Sequence, residues 1–251
     1  MMNEVLLIGE APLAEEVHQF FRNKKVKVRT LSEVPPYENG RVVAVMDVTA
    51  GPLESKITDL QMAERLVASE VPIFTSTLAY CATRLAANLE HPERLSGFSP
   101  LLLQESGVLE ISQPLQAEDA PVWEKGVHLW ESWGKRVEIL GDEPGLVFPR
   151  TWALMVNEAA WLLTERGAES RDIDRAMKQG TRHPFGPLEW ADRIGIDQVL
   201  WILKGLFEEL GEDRYRPAPL LRRMVYANRL GRRAGRGFYQ YEKMEVGKGH
   251  A

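Results

Sequence analysis

Cysteine is almost absent from the sequence, since Cys81 is the one cysteine in 251 residues. A single cysteine excludes an internal disulfide and favours a reducing compartment. Long apolar runs are also missing, because no run approaches the ~20 residues that span a bilayer. The first residues show no basic segment ahead of a long apolar run, so we expect no signal peptide. These absences predict a cytoplasmic protein with no membrane partner.

Positive charge is not in excess either. The 31 lysine and arginine residues are outnumbered by 36 aspartate and glutamate residues, which gives a net charge of −5. This balance excludes a general attraction to nucleic acid or to an anionic membrane surface. The chain also lacks internal repeats and low-complexity segments, and its length suits one large or two modest globular domains.

In the first part of the chain, short apolar runs alternate with segments of helical spacing. The run Val42–Met46 is apolar throughout, as is typical of a strand buried on both faces. Loop chemistry is predicted at 35–40, where proline, asparagine and glycine cluster. The predicted strands are 5–8, 26–31, 42–46, 71–75, 95–98, 108–111 and 137–140. This alternation predicts an α/β domain with a parallel, doubly wound sheet over residues 1–142.

Strand signals stop after residue 142, and only helical patterns follow. A long helix is predicted over 146–166, with Gly167 as its C-cap. Ser170 is predicted as the N-cap of a second helix. Further helices are predicted over 197–210 and 220–230, and the polar tail 245–251 is expected to fray. The second domain, residues 143–245, is therefore predicted to be all-helical.

A glycine pattern for binding a dinucleotide is incomplete at the first strand–helix turn. The G-x-G-x-x-G pattern lets the backbone approach a pyrophosphate at a helix N-terminus. Here Gly9 is present and Ala14 is an accepted third position, but Ala11 replaces the middle glycine. Pro12 removes an N–H group, and Glu10 adds a negative charge. These substitutions favour a turn kept for the fold over an intact NAD site.

An acidic residue should end the second strand to bind the ribose hydroxyls, but Thr30 or Ser32 stands there instead. No histidine or cysteine has partners at metal-ligand spacing, so no metal site is predicted. His183 lies in a proline–glycine loop and is predicted to pack there. Trp123, Trp130 and Trp133 recur at helical spacing, which favours packing over a cofactor site.

Three motifs in the second half identify a family resemblance. Pro144-Gly145 precedes the long helix, Pro184–Glu189 has the form P-x-G-P-x-E, and Gly235–Tyr239 has the form G-x-G-F-Y. The chain resembles the short-chain 3-hydroxyacyl-CoA dehydrogenases, including 3-hydroxybutyryl-CoA dehydrogenases, most strongly over 144–241. The resemblance implies a Rossmann-like domain, here reduced, followed by the family's all-helical C-terminal domain. It also implies a homodimer formed through the helical domain.

The resemblance also assigns positions in the active site. Family members use a histidine as general base and a glutamate that orients it; Ser99 and Glu110 stand at these positions. Leu78 and Pro149 stand where the family has substrate-binding residues. Lys56 matches a family lysine near the cofactor. The candidate catalytic residues are therefore Glu110 and Ser99.

The candidate cofactor-binding residues are Gly9, Ala14 and Lys56. The joint substitutions predict a homologue that has lost efficient hydride transfer, with no cofactor expected to bind tightly. It would act as a binding or partner subunit in acyl-CoA metabolism, toward an acyl-CoA ligand or an active paralogue. The alternative is a working dehydrogenase with NAD as cofactor and a site rearranged around Glu110 and Lys56. A third possibility is a structural homodimer whose crevice binds nothing.

Overall fold

The computed structural model describes residues 2–31 and 41–242. Ser32, the predicted loop 35–40 and the predicted tail 245–251 lie outside the described residues. The chain divides into two compact units, Met1–Arg150 and Thr151–Ala251. This division falls inside a long helix, whereas the boundary predicted at residue 142 lies before that helix.

The first unit is a seven-stranded sheet with helices. Its strands are β1 (Asn3–Ile8), β2 (Val26–Thr30), β3 (Val42–Asp47), β4 (Ile73–Ser76), β5 (Leu95–Phe98), β6 (Val108–Ser112) and β7 (Arg136–Leu140). Its helices are α1 (Leu13–Phe21), α2 (Leu53–Leu66), α3 (Ala82–Ala86) and α4 (Pro121–Ser132). The strand order is β2-β1-β3-β4-β5-β6-β7. The predicted α/β class is confirmed.

The sheet is mostly parallel, as predicted, with one antiparallel pair. Strands β5 and β6 are antiparallel, while every other neighbouring pair of described strands is parallel. The connection 99–107 is shorter than the dozen or so residues that a parallel crossover needs. Strand β6 therefore runs back beside β5.

Aromatic side chains fill the core on one face of this sheet. Trp130 is fully buried, with ring centroids 5.2 Å from Phe74 and 5.7 Å from Phe98. Trp133 packs edge-on against Trp130 at 5.1 Å, and Trp123 is also buried. The predicted packing role of the three tryptophans, two in α4 and Trp133 just after it, is confirmed.

Beyond the first unit the described elements are helical. They are α5 (Phe148–Thr164), which crosses the division, α6 (Ser170–Thr181), α7 (Pro187–Ile194), α8 (Ile196–Leu210) and α9 (Pro219–Tyr226). Two cap predictions are wrong by one residue: Glu169, not Ser170, is the N-cap of α6, and Arg166, not Gly167, has the positive φ that ends α5. Residues 227–230, predicted as helix, lie beyond α9, where Asn228 has a φ of 53°.

Helix α7 was not predicted, because its proline and glycine residues indicate a loop. Pro187 occupies the first turn, where its missing N–H is no loss. The Glu189 carboxylate accepts a bond from the Gly186 N–H at 3.2 Å, which is the glutamate half of a capping box, since glycine has no side chain to supply the other half. The nearby His183 packs on the Trp152 ring with centroids 5.2 Å apart, as predicted.

Two buried aspartates organise the second unit. Asp192 accepts bonds from the N–H groups of Phe238 and Tyr239, each at 2.9 Å. Asp174 accepts bonds from the first turn of α7 and from the Tyr239 hydroxyl at 2.6 Å. Burial raises the pKa of both carboxyl groups, and these hydrogen bonds oppose the rise. The aspartates thus join both C-terminal motifs through Tyr239.

Candidate functional site

A cavity of about 190 Å³ lies in the first unit beside β6. It is lined by Ser99, Leu101, Leu102, Ser106, Val108, Glu110 and Phe148. The structure therefore brings together the two predicted catalytic residues, Ser99 and Glu110. Four apolar side chains make up most of the remaining wall, so the polar groups available to a small ligand are few.

The Glu110 carboxylate is bound to the start of α5. It accepts a bond from the Phe148 N–H at 3.0 Å and one from the Val147 N–H at 3.2 Å. These groups lie at a helix N-terminus, where the partial positive charge favours a carboxylate. Burial raises the pKa of Glu110, and the two backbone hydrogen bonds oppose that rise. Glu110 thus caps the N-terminus of α5, and its catalytic role stays a prediction.

Ser99 contributes a buried hydroxyl to the site. Its N–H donates to the carbonyl of Glu110 at 3.2 Å, which fixes the residue just beyond β5. Its side chain is buried, and Oγ has no hydrogen-bond partner within the described residues. A buried, unpaired hydroxyl costs about 1–3 kcal/mol. A ligand atom that bonded to Oγ would relieve this cost.

The turn between β1 and α1 offers few N–H groups to an anion. Gly9 has a φ of +129°, and a Cβ there would lie 2.7 Å from Val48 Cγ2, so glycine is required. Pro12 is the N-cap and has no N–H group. The N–H of Ala14 donates to the carbonyl of Glu10 at 3.1 Å. Gly9 is thus required by sterics and the Ala14 N–H is used within the helix, while their role in cofactor binding stays a prediction.

Carboxylates surround the same turn. Glu10 is exposed, and Glu15 and Glu16 lie in the first turn of α1. At the end of β2, Thr30 occupies the position at which an acid would bind the ribose. The alternative position, Ser32, is outside the described residues. This arrangement opposes a pyrophosphate electrostatically.

Lys56 is buried in α2 and bound internally. Its Nζ donates to Asp47 Oδ2 at 2.5 Å and to the Thr49 carbonyl at 2.9 Å. Asp47 also accepts a bond from the Thr75 hydroxyl at 2.6 Å. Burial lowers the pKa of Lys56, although the charge of Asp47 acts in the opposite direction. Its role in cofactor binding stays a prediction.

Asp47 was missed by sequence reasoning, although a signal existed. It ends the apolar strand β3 and precedes Lys56 by nine residues, a spacing that spans one strand–helix connection.

The two residues predicted to replace substrate contacts, Leu78 and Pro149, are both buried. Leu78 follows β4, and Pro149 lies in the first turn of α5.

The model of the 3-hydroxyacyl-CoA dehydrogenase C-terminal domain matches residues 145–241. The chain is 34% identical to a 3-hydroxybutyryl-CoA dehydrogenase from Bradyrhizobium diazoefficiens over 236 residues, which cover 91% of this chain and 80% of that protein. The chain belongs to the 3-hydroxyacyl-CoA dehydrogenase family.

Two further relatives agree with this assignment. A probable 3-hydroxybutyryl-CoA dehydrogenase from Bacillus subtilis is 33% identical over 202 residues, which cover 79% of this chain and 69% of that protein. The solved structure of an (S)-3-hydroxybutyryl-CoA dehydrogenase from Ralstonia eutropha is 25% identical, with a TM-score of 0.75. The match covers 97% of this chain and 100% of the chain in the solved structure. The predicted Rossmann-like and helical arrangement is confirmed.

Two other features are absent from the described part of the chain. Residues 2–31 and 41–242 hold no group of three histidine, cysteine, aspartate or glutamate side chains able to bind a metal ion. None of the described helices combines the length and apolar character needed to cross a membrane. The cavity at Ser99 and Glu110 is therefore the site on which a functional proposal rests.

Proposed function

We propose that this family member has lost efficient hydride transfer and acts as a binding or partner subunit in acyl-CoA metabolism. One observation carries the proposal: within the described residues the buried Ser99 hydroxyl has no hydrogen-bond partner, while Glu110 is bound to the N-terminus of α5. The family resemblance implies that Ser99 stands at the position of the general base. A serine hydroxyl cannot accept a proton usefully near neutral pH. Loss of a general base alone costs about 10²–10⁴ in rate.

The β1–α1 turn supports weak binding of NAD or none. Its missing N–H at Pro12, the occupied N–H of Ala14 and the nearby carboxylates all disfavour a pyrophosphate. An acyl-CoA ligand is favoured instead, since relatives are named 3-hydroxybutyryl-CoA dehydrogenases. The apolar cavity with one unpaired hydroxyl suits a short acyl group that carries a carbonyl oxygen. We further infer that the protein is cytoplasmic and forms a homodimer through the helical domain. Analytical ultracentrifugation tests the dimeric state.

A titration and a turnover assay test the loss of hydride transfer. We expect no quenching of tryptophan fluorescence by NADH up to millimolar concentration. We also expect no oxidation of NADH with acetoacetyl-CoA. Robust oxidation would refute the proposal.

Paired serine variants test acyl-CoA binding. Ser99→Ala should weaken binding of acetoacetyl-CoA about three- to tenfold in calorimetry, the effect of losing one hydrogen bond of about 1 kcal/mol. Ser96→Ala is the matched control, because Ser96 Oγ is also buried and unpaired but does not line the cavity. Equal effects of the two substitutions would place the ligand elsewhere.

One observation favours the alternative, a working dehydrogenase with a rearranged site. Burial raises the pKa of Glu110, which brings this carboxyl closer to the range of a general base at neutral pH. In that case the wild type would turn over, and Glu110→Gln would abolish turnover without preventing ligand binding. Under our proposal there is no turnover for Glu110→Gln to remove.

A further inference from the structure

The turn 101–106 forms one wall of the cavity. Leu101, Leu102 and Ser106 from this turn all face the cavity. Leu102 has a φ of 55°, and its carbonyl accepts bonds from the N–H groups of Glu105 at 3.1 Å and Ser106 at 2.8 Å. The turn is thus closed on itself, but these bonds do not attach it to the rest of the unit.

Lys135 attaches the turn to the unit. Its Nζ donates to the Leu103 carbonyl at 2.5 Å and also to the Ser106 carbonyl. The side chain is 6% exposed and its amino group lies 4.9 Å from the centre of the Phe20 ring. The N–H of Gln104 approaches the Glu16 carboxylate at 3.5 Å, a long contact that adds little. At its end the turn is also bonded to β6, because the Ser106 hydroxyl donates to the Val108 carbonyl at 2.8 Å and accepts a bond from the Val108 N–H at 3.1 Å. Lys135 adds a link between the turn and a side chain outside both, and it binds two of the turn's carbonyls. The position of the wall therefore depends in part on Lys135.

Lys24 contacts the same aromatic ring without a connection to the cavity, although it is only partly buried whereas Lys135 is buried. Its Nζ lies 4.5 Å from the centre of the same Phe20 ring and donates to the Trp133 carbonyl at 2.6 Å. Trp133 is outside the turn and does not line the cavity. Both lysines contact the Phe20 ring and both donate to backbone carbonyls. They differ in the acceptor, because Lys135 binds carbonyls of the turn 101–106 and Lys24 binds the Trp133 carbonyl.

The cavity volume sets the size of a ligand. A volume of about 190 Å³ has room for roughly six heavy-atom groups at ~30 Å³ each. This room matches a short acyl group, and a longer chain would extend beyond it. We propose that Lys135 is a specificity-determining positioning residue, which limits the bound acyl chain to a short one by fixing the turn 101–106. This inference rests on the proposed binding of acyl-CoA.

The physical reason lies in the two carbonyl oxygens. Without the amino group, the Leu103 and Ser106 carbonyls lose their buried donor, and they gain free energy by turning toward water. That movement carries Leu101, Leu102 and Ser106 away from Glu110. The cavity becomes longer, and discrimination against long chains is lost, while Ser99 and Glu110 keep their own contacts.

The experiment compares Lys135→Met with Lys24→Met in the full chain. Dissociation constants for butyryl-CoA and octanoyl-CoA are measured by calorimetry. We expect the wild type, Lys24→Met and Lys135→Arg to bind butyryl-CoA more tightly than octanoyl-CoA. In Lys135→Met, the ratio of the octanoyl-CoA to the butyryl-CoA dissociation constant should fall at least tenfold. An unchanged preference in Lys135→Met, or an equal loss in Lys24→Met, would overturn the proposal. If Lys135→Met does not fold, Lys135→Gln takes its place.

A second readout needs no ligand, so it separates this inference from the proposed function. Ser99→Cys is introduced with Cys81→Ala, and its labelling rate by a thiol reagent reports access to the cavity. We expect Lys135→Met to speed labelling at least fivefold and Lys24→Met to leave the rate unchanged. Equal rates would refute the role of Lys135 even if acyl-CoA binds. If no acyl-CoA binds the wild type, the proposed function fails and the labelling rates alone decide whether Lys135 fixes the wall.

Discussion

Five carboxylates share one structural task at the residue scale: each accepts bonds from two successive backbone N–H groups. They are Glu64, Glu110, Asp142, Asp174 and Asp192. Such charge-assisted bonds are stronger than neutral ones. Glu110 therefore does at the cavity what four other carboxylates do elsewhere. Its contacts need no catalytic explanation.

The closest fit among these sites is at Asp192, and it predicts a steric effect at Gly237. A Cβ at Gly237 would lie 1.9 Å from Asp192 Oδ1. We expect Gly237→Ala to displace the carboxylate from Phe238 and Tyr239 and to lower the free energy of unfolding by about 3 kcal/mol. Urea denaturation followed by circular dichroism measures the change.

The control is the same substitution in α6 of the same unit. A Cβ at Gly180 meets nothing within 4 Å. We therefore expect Gly180→Ala to stabilise by about 0.5–1 kcal/mol, because alanine favours a helix over glycine. If both variants lowered the free energy of unfolding by similar amounts, the clash with Asp192 would not explain the effect of Gly237→Ala.

At the scale of elements, sequence patterns predicted the strands and helices that depend on neighbouring residues alone. Strand β3 was predictable because a continuous apolar run suits burial on both faces. The direction of β6 follows from the length of the connection 99–107, a constraint that periodicity ignores. Helix α7 was missed because its stability comes from caps: Asp174, 14 residues before Leu188, supplies the acceptor for its first turn.

The start of α5 gives a pH-dependent prediction. Burial raises the pKa of Glu110 in the folded state. Between the ordinary and the raised pKa, the folded state holds a proton that the unfolded state has lost. The contribution of Glu110 to the free energy of unfolding therefore falls as pH rises through that window. We expect the difference in unfolding free energy, wild type minus Glu110→Gln, to decrease from pH 4 toward neutral pH.

Urea titrations at several pH values measure this difference. Glu158→Gln, which removes an exposed carboxylate from the same helix, shows the effect of a simple loss of charge. A difference for Glu110→Gln that grew with pH would contradict burial as the dominant influence. It would instead make the bonds from Val147 and Phe148 the larger effect.

At the scale of the whole molecule, the family could be predicted from the helical half, and the state of the site could not. The two C-terminal motifs meet through Asp174, Tyr239 and Asp192, so that half depends on a network which tolerates little change. The substitutions at Ala11 and Ser99 were visible in the sequence. What Glu110 binds instead was not, because Val147 and Phe148 are 37 and 38 residues away along the chain.

Ligand-linked stability tests the proposed function on the intact chain. A ligand that binds only the folded state stabilises it by RT ln(1 + [L]/Kd), about 1.4 kcal/mol at ten times Kd. For a chain of this size, that shift raises Tm by roughly 3–5 °C. We expect butyryl-CoA to raise Tm by this amount and millimolar NADH to leave it unchanged. Free coenzyme A separates the two parts of the ligand: if it raised Tm as much as butyryl-CoA does, the acyl group would contribute nothing to binding. In that case the cavity at Ser99 would not be the binding site, even though the chain bound a nucleotide-containing ligand.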